Sequence, residues 1–261
     1  MSMKDKTSPP DKQESCDRCK VKLEVKEYIG VKMTVCSSYR GLKNALRLCH
    51  PCGDIQREED NERVRIWTIQ QNKERYAVRL AKEVENIPRR FKSASTGDFA
   101  DAFKPQSEKW IASDEWAATL AGPPGTGKTH AAFAMALLYC EIEGKKDSPA
   151  YDTFVFITVP ELLAELRHDA VADSAGEATE KYKTIDGILV MDDLGAEKSS
   201  EYALSELYRI ISYREMHILK TIITTNLGVS ELSTKLHDRI ASRLTSGRII
   251  NFKGKDRRTD K

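Results

Sequence analysis

The apolar positions of the chain follow two different patterns. From residue 117 onward, short apolar runs at 117–121, 154–158, 185–191, 220–224 and 248–252 alternate with helically spaced segments at 128–143, 160–169, 200–216 and 232–244. Short continuous apolar runs suit strands buried on both faces, so this alternation predicts an α/β fold with a five-stranded, mostly parallel sheet and flanking helices. Before residue 117 the pattern changes. Residues 55–85 contain neither Gly nor Pro, and Ile66, Ile69, Tyr76, Leu80 and Val84 recur close to helical spacing, which predicts one long, charged, amphipathic helix. Pro88 ends it, because proline disfavours helical geometry in the residue before it. Residues 88–116 read as loop and short helix, and 31–35 as β-type.

These patterns divide the chain into a polar tail at 1–14 with Pro9-Pro10, a small module at 15–54, a helical linker at 55–86 and an α/β domain at 87–261. An apolar share of 40% and a charged share of 31% allow a sizeable core. The polar amino terminus and the absence of a long apolar run argue against secretion and membrane insertion, so the expected location is cytoplasmic with no membrane partner. A net charge of +2 is too small to attract nucleic acid as a whole. Any such attraction must come from local clusters.

The most specific signal is Gly122-Pro123-Pro124-Gly125-Thr126-Gly127-Lys128-Thr129, which fits G-x-x-x-x-G-K-[ST] and stands between an apolar run and a helical one. Glycines let the backbone curl until successive N–H groups face the phosphates, and the helix that follows adds its positive end. Lys128 is expected on the β- and γ-phosphates and Thr129 on magnesium, with His130 next along the helix also near the nucleotide. The expected cofactor is ATP.

The run 187–191 ends in Asp192-Asp193, and acids at the carboxyl end of a strand face the crevice where α/β sheets bind ligands. Asp192 is expected to hold magnesium and Asp193 to polarise the attacking water as general base. Two adjacent acids can also simply cap a turn. Asn226, after 220–224, can orient that water or touch the γ-phosphate, although Asn at a strand end is usually turn chemistry.

With these three pieces in order, residues 87–258 resemble AAA+ ATPases of the clade that contains the DnaC and DnaI helicase loaders and the IstB transposition helpers. The match is carried by Ile87-Pro88-Arg89-Arg90-Phe91, the phosphate loop, Asp192-Asp193-Leu194-Gly195, Thr224-Thr225-Asn226 and Asp238-Arg239-Ile240-Ala241-Ser242-Arg243-Leu244. The resemblance implies that Arg243 reaches the ATP of a neighbouring subunit in a homo-oligomer formed with ATP, with Arg239 able to share the role. Such a residue is worth about 10³ to 10⁵ in rate. A second arginine toward the γ-phosphate falls on Arg258, beside Arg257, where the family's preceding serine and aromatic are replaced by Asp256 and Arg257. The few residues that follow leave no room for a helical lid, which again resembles the loader clade.

Five of six cysteines crowd the first fifth of the chain. In a protein that is not secreted, Cys16-x-x-Cys19 and Cys49-x-x-Cys52 point to one tetrahedral structural zinc, needed because so short a module buries little apolar surface. Cys36 and His50 are spare donors, and Cys140, in a helical run, is a packing residue. The resemblance implies that this module grips a replicative DNA helicase; a zinc ribbon on DNA is the competing reading.

Arg239, Arg243, Arg248, Lys253, Lys255, Arg257 and Arg258 gather positive charge near the carboxyl terminus, suited to single-stranded DNA phosphates. In related loaders DNA follows the segment that corresponds to 161–183, where Tyr182 is the only aromatic. The expectation is therefore an ATP-hydrolysing loader that delivers a helicase to single-stranded DNA. An IstB-like transposase helper, or a zinc-dependent DNA-binding adaptor that only senses nucleotide, is the alternative.

Overall fold

A computed structural model describes residues 26–28, 31–33, 50–94, 98–171, 176–195, 201–228, 231, 232, 234, 236 and 238–256. The chain divides into two units, Met1–Ile69 and Gln70–Lys261. In the first, β1 (Lys26–Tyr28) pairs antiparallel with β2 (Val31–Met33). The long helix α1 runs His50–Asn86, so it begins ahead of the expected residue 55 and takes in the stretch that carries Cys52. Pro51 does not prevent this, since a proline in the first turn forfeits an N–H that has no helical partner there.

Five strands form the sheet of the second unit: β3 (Ala117–Ala121), β4 (Phe154–Thr158), β5 (Ile188–Leu194), β6 (Thr221–Thr225) and β7 (Arg248–Asn251). They lie in the order β4-β5-β6-β3-β7, and every pairing is parallel. The helices are α2 (Asp98–Ile111), α3 (Lys128–Glu143), α4 (Val159–Val171), α5 (Glu177–Thr184), α6 (Glu201–Met216) and α7 (Asp238–Ser246).

Successive strand residues point to opposite faces, and both faces are covered. Leu189, Met191 and Ile223 pack with Leu162, Leu207, Ile210, Ile240 and Leu244 of α4, α6 and α7. Ile188, Val190 and Ile222 pack on the other side with Trp110, Phe133, Met135 and Tyr76. Cys140 lies fully buried in this second layer, and burial pushes its thiol up to about 12. Among the described residues, no helix is long and apolar enough to cross a membrane.

Besides α1, other elements differ from the sequence pattern. Strand β5 starts at Ile188 and continues through both acids to Leu194, instead of spanning 185–191. Helix α7 begins at Asp238, and Glu231, Leu232 and Thr234, at the expected start, are helical ahead of it, with Leu236 in a bend between. Helix α5 has no apolar run to announce it; Asp169 positions its start by accepting the N–H groups of Gly176 and Ala178 at 2.8 and 3.1 Å.

Candidate active site

Because β3 lies between β6 and β7, the carboxyl ends of β3, β6 and β5 stand side by side, and the loop from β3 to α3 opens onto them. Gly125 and Gly127 take left-handed backbone angles (φ 74° and 96°) that a side chain would strain. At Gly122 a Cβ would run into the carbonyl of Phe252, and at Gly125 into the carboxylate of Asp256. The loop is thus closed in from β7 and the residues after it.

A cleft of about 370 Å³ is lined by this loop and by Lys128, Thr129, His130, Asp192, Asp193, Thr224 and Asn226, with Arg90 and Phe91 contributed from the segment before the sheet. Lys128 is only 6% exposed. Its Nζ donates to the carbonyls of Gly122 and Pro123 at 2.7 and 2.8 Å and to Asn226 Oδ1 at 2.8 Å. Asn226 Nδ2 in turn donates to Asp193 Oδ1 at 2.7 Å, so one amide spans the cation and the acid. On the other side, the Thr129 hydroxyl donates to Asp192 Oδ1 at 2.9 Å.

Burial raises the Asp192 carboxyl above its ordinary range; the hydroxyls of Thr224 and Thr129 and the Lys128 charge pull it back, while neighbouring Asp193 pushes it further up. A desolvated carboxylate beside a threonine hydroxyl is a pair of hard oxygen donors, and such donors suit magnesium. The curled loop with a buried ammonium suits a polyphosphate. ATP and magnesium therefore fit the residues present.

The sequence-derived residues do not all face the cleft. Pro124, Gly125, Gly127, Lys128, Thr129, His130, Asp192, Asp193 and Asn226 do. Gly122 and Pro123 instead supply the carbonyls that hold Lys128, and the Thr126 hydroxyl, 3% exposed as a residue, donates back to Pro123 O at 2.8 Å. Arg243 lies on α7, apart from this cleft. Its Nε is 3.0 Å from the Glu215 carboxylate as an ion pair without hydrogen-bond alignment, its Nη1 donates to Arg239 O at 3.0 Å, and its guanidinium lies 4.6 Å from the centre of the Tyr208 ring. Arg239 is exposed.

Cys16, Cys19, Cys36, Cys49, Arg257 and Arg258 lie outside the described residues, as do the side chains of His50 and Cys52. Among the described residues, no group of three or more candidate metal ligands occurs. The basic cluster is partly neutralised, since Arg248 pairs with Glu115 at 2.6 Å. Tyr182 is 2% exposed and donates to Glu165 at 2.8 Å, so it presents no face for a base.

Three lining residues carry no signal in the sequence reading of the site: Arg90, Phe91 and Thr224. All three stand in strings that mark the family resemblance, but nothing in those strings says that they line the cleft. Phe91 stacks on Phe133 of α3 at 5.0 Å, which fixes it at the cleft.

Comparison with known proteins agrees with this geometry. Residues 57–251 match the family described as IstB-like ATP binding protein. An insertion sequence IS5376 putative ATP-binding protein of Geobacillus stearothermophilus is 30% identical over 148 residues, 52% of this chain and 53% of that protein. The uncharacterized protein YdaV of Escherichia coli (strain K12) is 27% identical over 133 residues, 50% of each. The chain spans about half the length of the curated relatives it matches. The crystal structure of the DnaC helicase loader is similar with a TM-score of 0.51 at 24% identity, over 64% of this chain and 100% of that one, which speaks for a shared AAA+ fold. A phosphate loop, an acidic pair and a polar strand end assembled on such a fold, together with a match over most of its length, mean that the chain belongs to the IstB-like ATP binding protein family.

Proposed function

We propose that the chain hydrolyses ATP in this cleft and, as an ATP-dependent homo-oligomer, delivers a replicative helicase to single-stranded DNA. The observation that carries the ATPase reading is the convergence of Lys128, Thr129, Asp192, Asp193 and Asn226 on one crevice. Lys128 exchanges its two loop carbonyls for phosphate oxygens, and the loop N–H groups and His130 surround the rest of the nucleotide. Thr129 and Asp192 would hold magnesium, which when bound would supply charge compensation to the phosphates. Asp193 takes the proton of the attacking water, and Asn226, already bridging Lys128 and Asp193, orients that water. Attack on the γ-phosphorus breaks its bond to the bridging oxygen and releases ADP and phosphate.

Arg243 completes the site of a neighbouring copy, Arg239 stands exposed beside it, and Arg258 approaches the γ-phosphate. Cys16, Cys19, Cys49 and Cys52 hold one structural zinc, which shapes residues 15–54 into the surface that engages the helicase. The DnaC loader, similar in fold, supports the helicase reading. A second reading, assistance to a transposase, is favoured by the relative from an insertion sequence.

Turnover of ATP by the full chain, with and without single-stranded DNA, tests the enzyme. Magnesium-dependent release of phosphate is expected, and nucleotide binding without release reduces the chain to a sensor. Co-purification separates the partners: retention of a hexameric helicase with ATP present is expected, and capture of a transposase in its place overturns the loader reading.

A further inference from the structure

Between the two acids of the cleft lies one buried hydroxyl, that of Thr224. Thr224, the penultimate residue of β6, is 1% exposed and still lines the cleft. Its hydroxyl donates to Asp192 Oδ1 at 2.6 Å and accepts the N–H of Asp193 at 2.9 Å. One buried oxygen therefore serves both acids, using its single proton on one and a lone pair on the other.

The backbone explains why such a link is needed. Neighbouring residues of a regular strand point to opposite faces, so Asp192 and Asp193 could not both turn to the cleft from an undistorted β5. The register between β5 and β6 slips between Met191 and Leu194, and Asp193 adopts φ 66°, a left-handed conformation that costs free energy outside glycine. The N–H of Asp193 at this irregularity is the one that Thr224 accepts. Asp192 receives hydroxyl protons from Thr129 and Thr224 on the same oxygen, so both threonines fix the position of its carboxylate.

We propose that Thr224 is a positioning residue of the ATPase site, whose hydroxyl holds Asp192 in place for the metal and locks Asp193 in the turned conformation that brings it to the cleft. The inference rests on the reading of the cleft as a magnesium-dependent ATPase. Thr224 acts through the two acids that its hydroxyl contacts. Loss of a group that orients a metal-ligating side chain typically lowers metal affinity or activity about 10- to 100-fold.

The test uses the full chain and three variants, Thr224→Val, Thr224→Ala and Thr224→Ser. Valine keeps the branched shape and removes the hydroxyl, alanine removes both, and serine keeps the hydroxyl alone. Affinity for a fluorescent ATP analogue is measured in EDTA and across a magnesium titration, and turnover is measured in parallel. In Thr224→Val the metal-free affinity stays at the unmodified level, the half-saturating magnesium concentration rises about 10- to 100-fold and kcat falls, with serine restoring both. Should the valine variant fail to fold, alanine is expected to show the same displaced magnesium titration. Unchanged magnesium dependence in both hydroxyl-free variants, or a serine variant as defective as valine, overturns the inference while leaving the ATPase reading intact. An unmodified chain with no magnesium-dependent binding or turnover overturns both.

Discussion

Lys128 and Arg243 are both cations held by their own protomer, yet they are held for different ends. Lys128 is 6% exposed, surrounded by two carbonyls and an amide oxygen, and it faces a cleft that also contains the acids it would work with. Arg243, its side chain 27% exposed, is steadied by Glu215 and the Tyr208 ring on a helix that contributes nothing to that cleft. A buried ammonium is costly unless its donors are satisfied, so its neighbours are dictated by desolvation, and the phosphate site comes complete in one chain. A partly exposed arginine paired with one carboxylate gains only weakly from that ion pair. On the proposed function, binding is provided within a protomer and rate enhancement is completed between protomers.

The sharpest way to break this comparison is Lys128→Ala. Titration with a fluorescent nucleotide should show ATP affinity and turnover lost together, and retained affinity would mean that Lys128 is not the phosphate anchor. Arg243→Ala comes next, with ATP binding kept and turnover down by about 10³- to 10⁵-fold. Mixing it with Lys128→Ala protein should recover activity, since one variant supplies an intact pocket and the other an intact arginine; failure to complement would place Arg243 outside the reaction. For Asp193→Asn the expected loss of turnover is smaller, about 10²- to 10⁴-fold, with affinity for ATP unchanged.

The smallest effect lies away from both sites. Burial and the adjacent Asp186 carboxylate raise the Asp152 carboxyl above its ordinary range. A carboxyl that binds its proton more tightly folded than unfolded loses stability as pH rises through that interval, and the penalty stays constant above it. Asp152→Asn should therefore stabilise the fold at neutral pH by less than about 0.5 kcal/mol, because the pair is partly exposed, with the gain vanishing at acid pH. Melting curves across pH check this, and a gain that persists in acid would assign it to something other than charge.

Much of the site could be read from the chain before any fold was known. Glycines, a lysine and a threonine at fixed spacing announce a phosphate loop because the backbone needs them locally, and the apolar run before Asp192 marks a buried strand. What was not legible depended on irregularity or distance. The acids lie within β5 and not beyond it, since the strand continues past a left-handed Asp193 that no apolar pattern announces. Thr224 looks like any β-branched strand residue until Asp192 and Asp193 are found on either side of its hydroxyl. Helix α5 reads as a charged segment, and its start is set by the side chain of Asp169 from the preceding helix.

The sequence alone determined which chemical groups are present and in what order they follow one another: a phosphate loop, two acids, an amide and a later arginine. Only the tertiary structure decided which of them meet. Strand β6 pairs with β3 on one side and β5 on the other, and this places Asn226 between Lys128 and Asp193 and leaves Arg243 elsewhere. The reason is physical: periodicity and loop chemistry are encoded over a few neighbouring residues, whereas strand order is set by hydrogen bonds and burial among segments far apart in the chain.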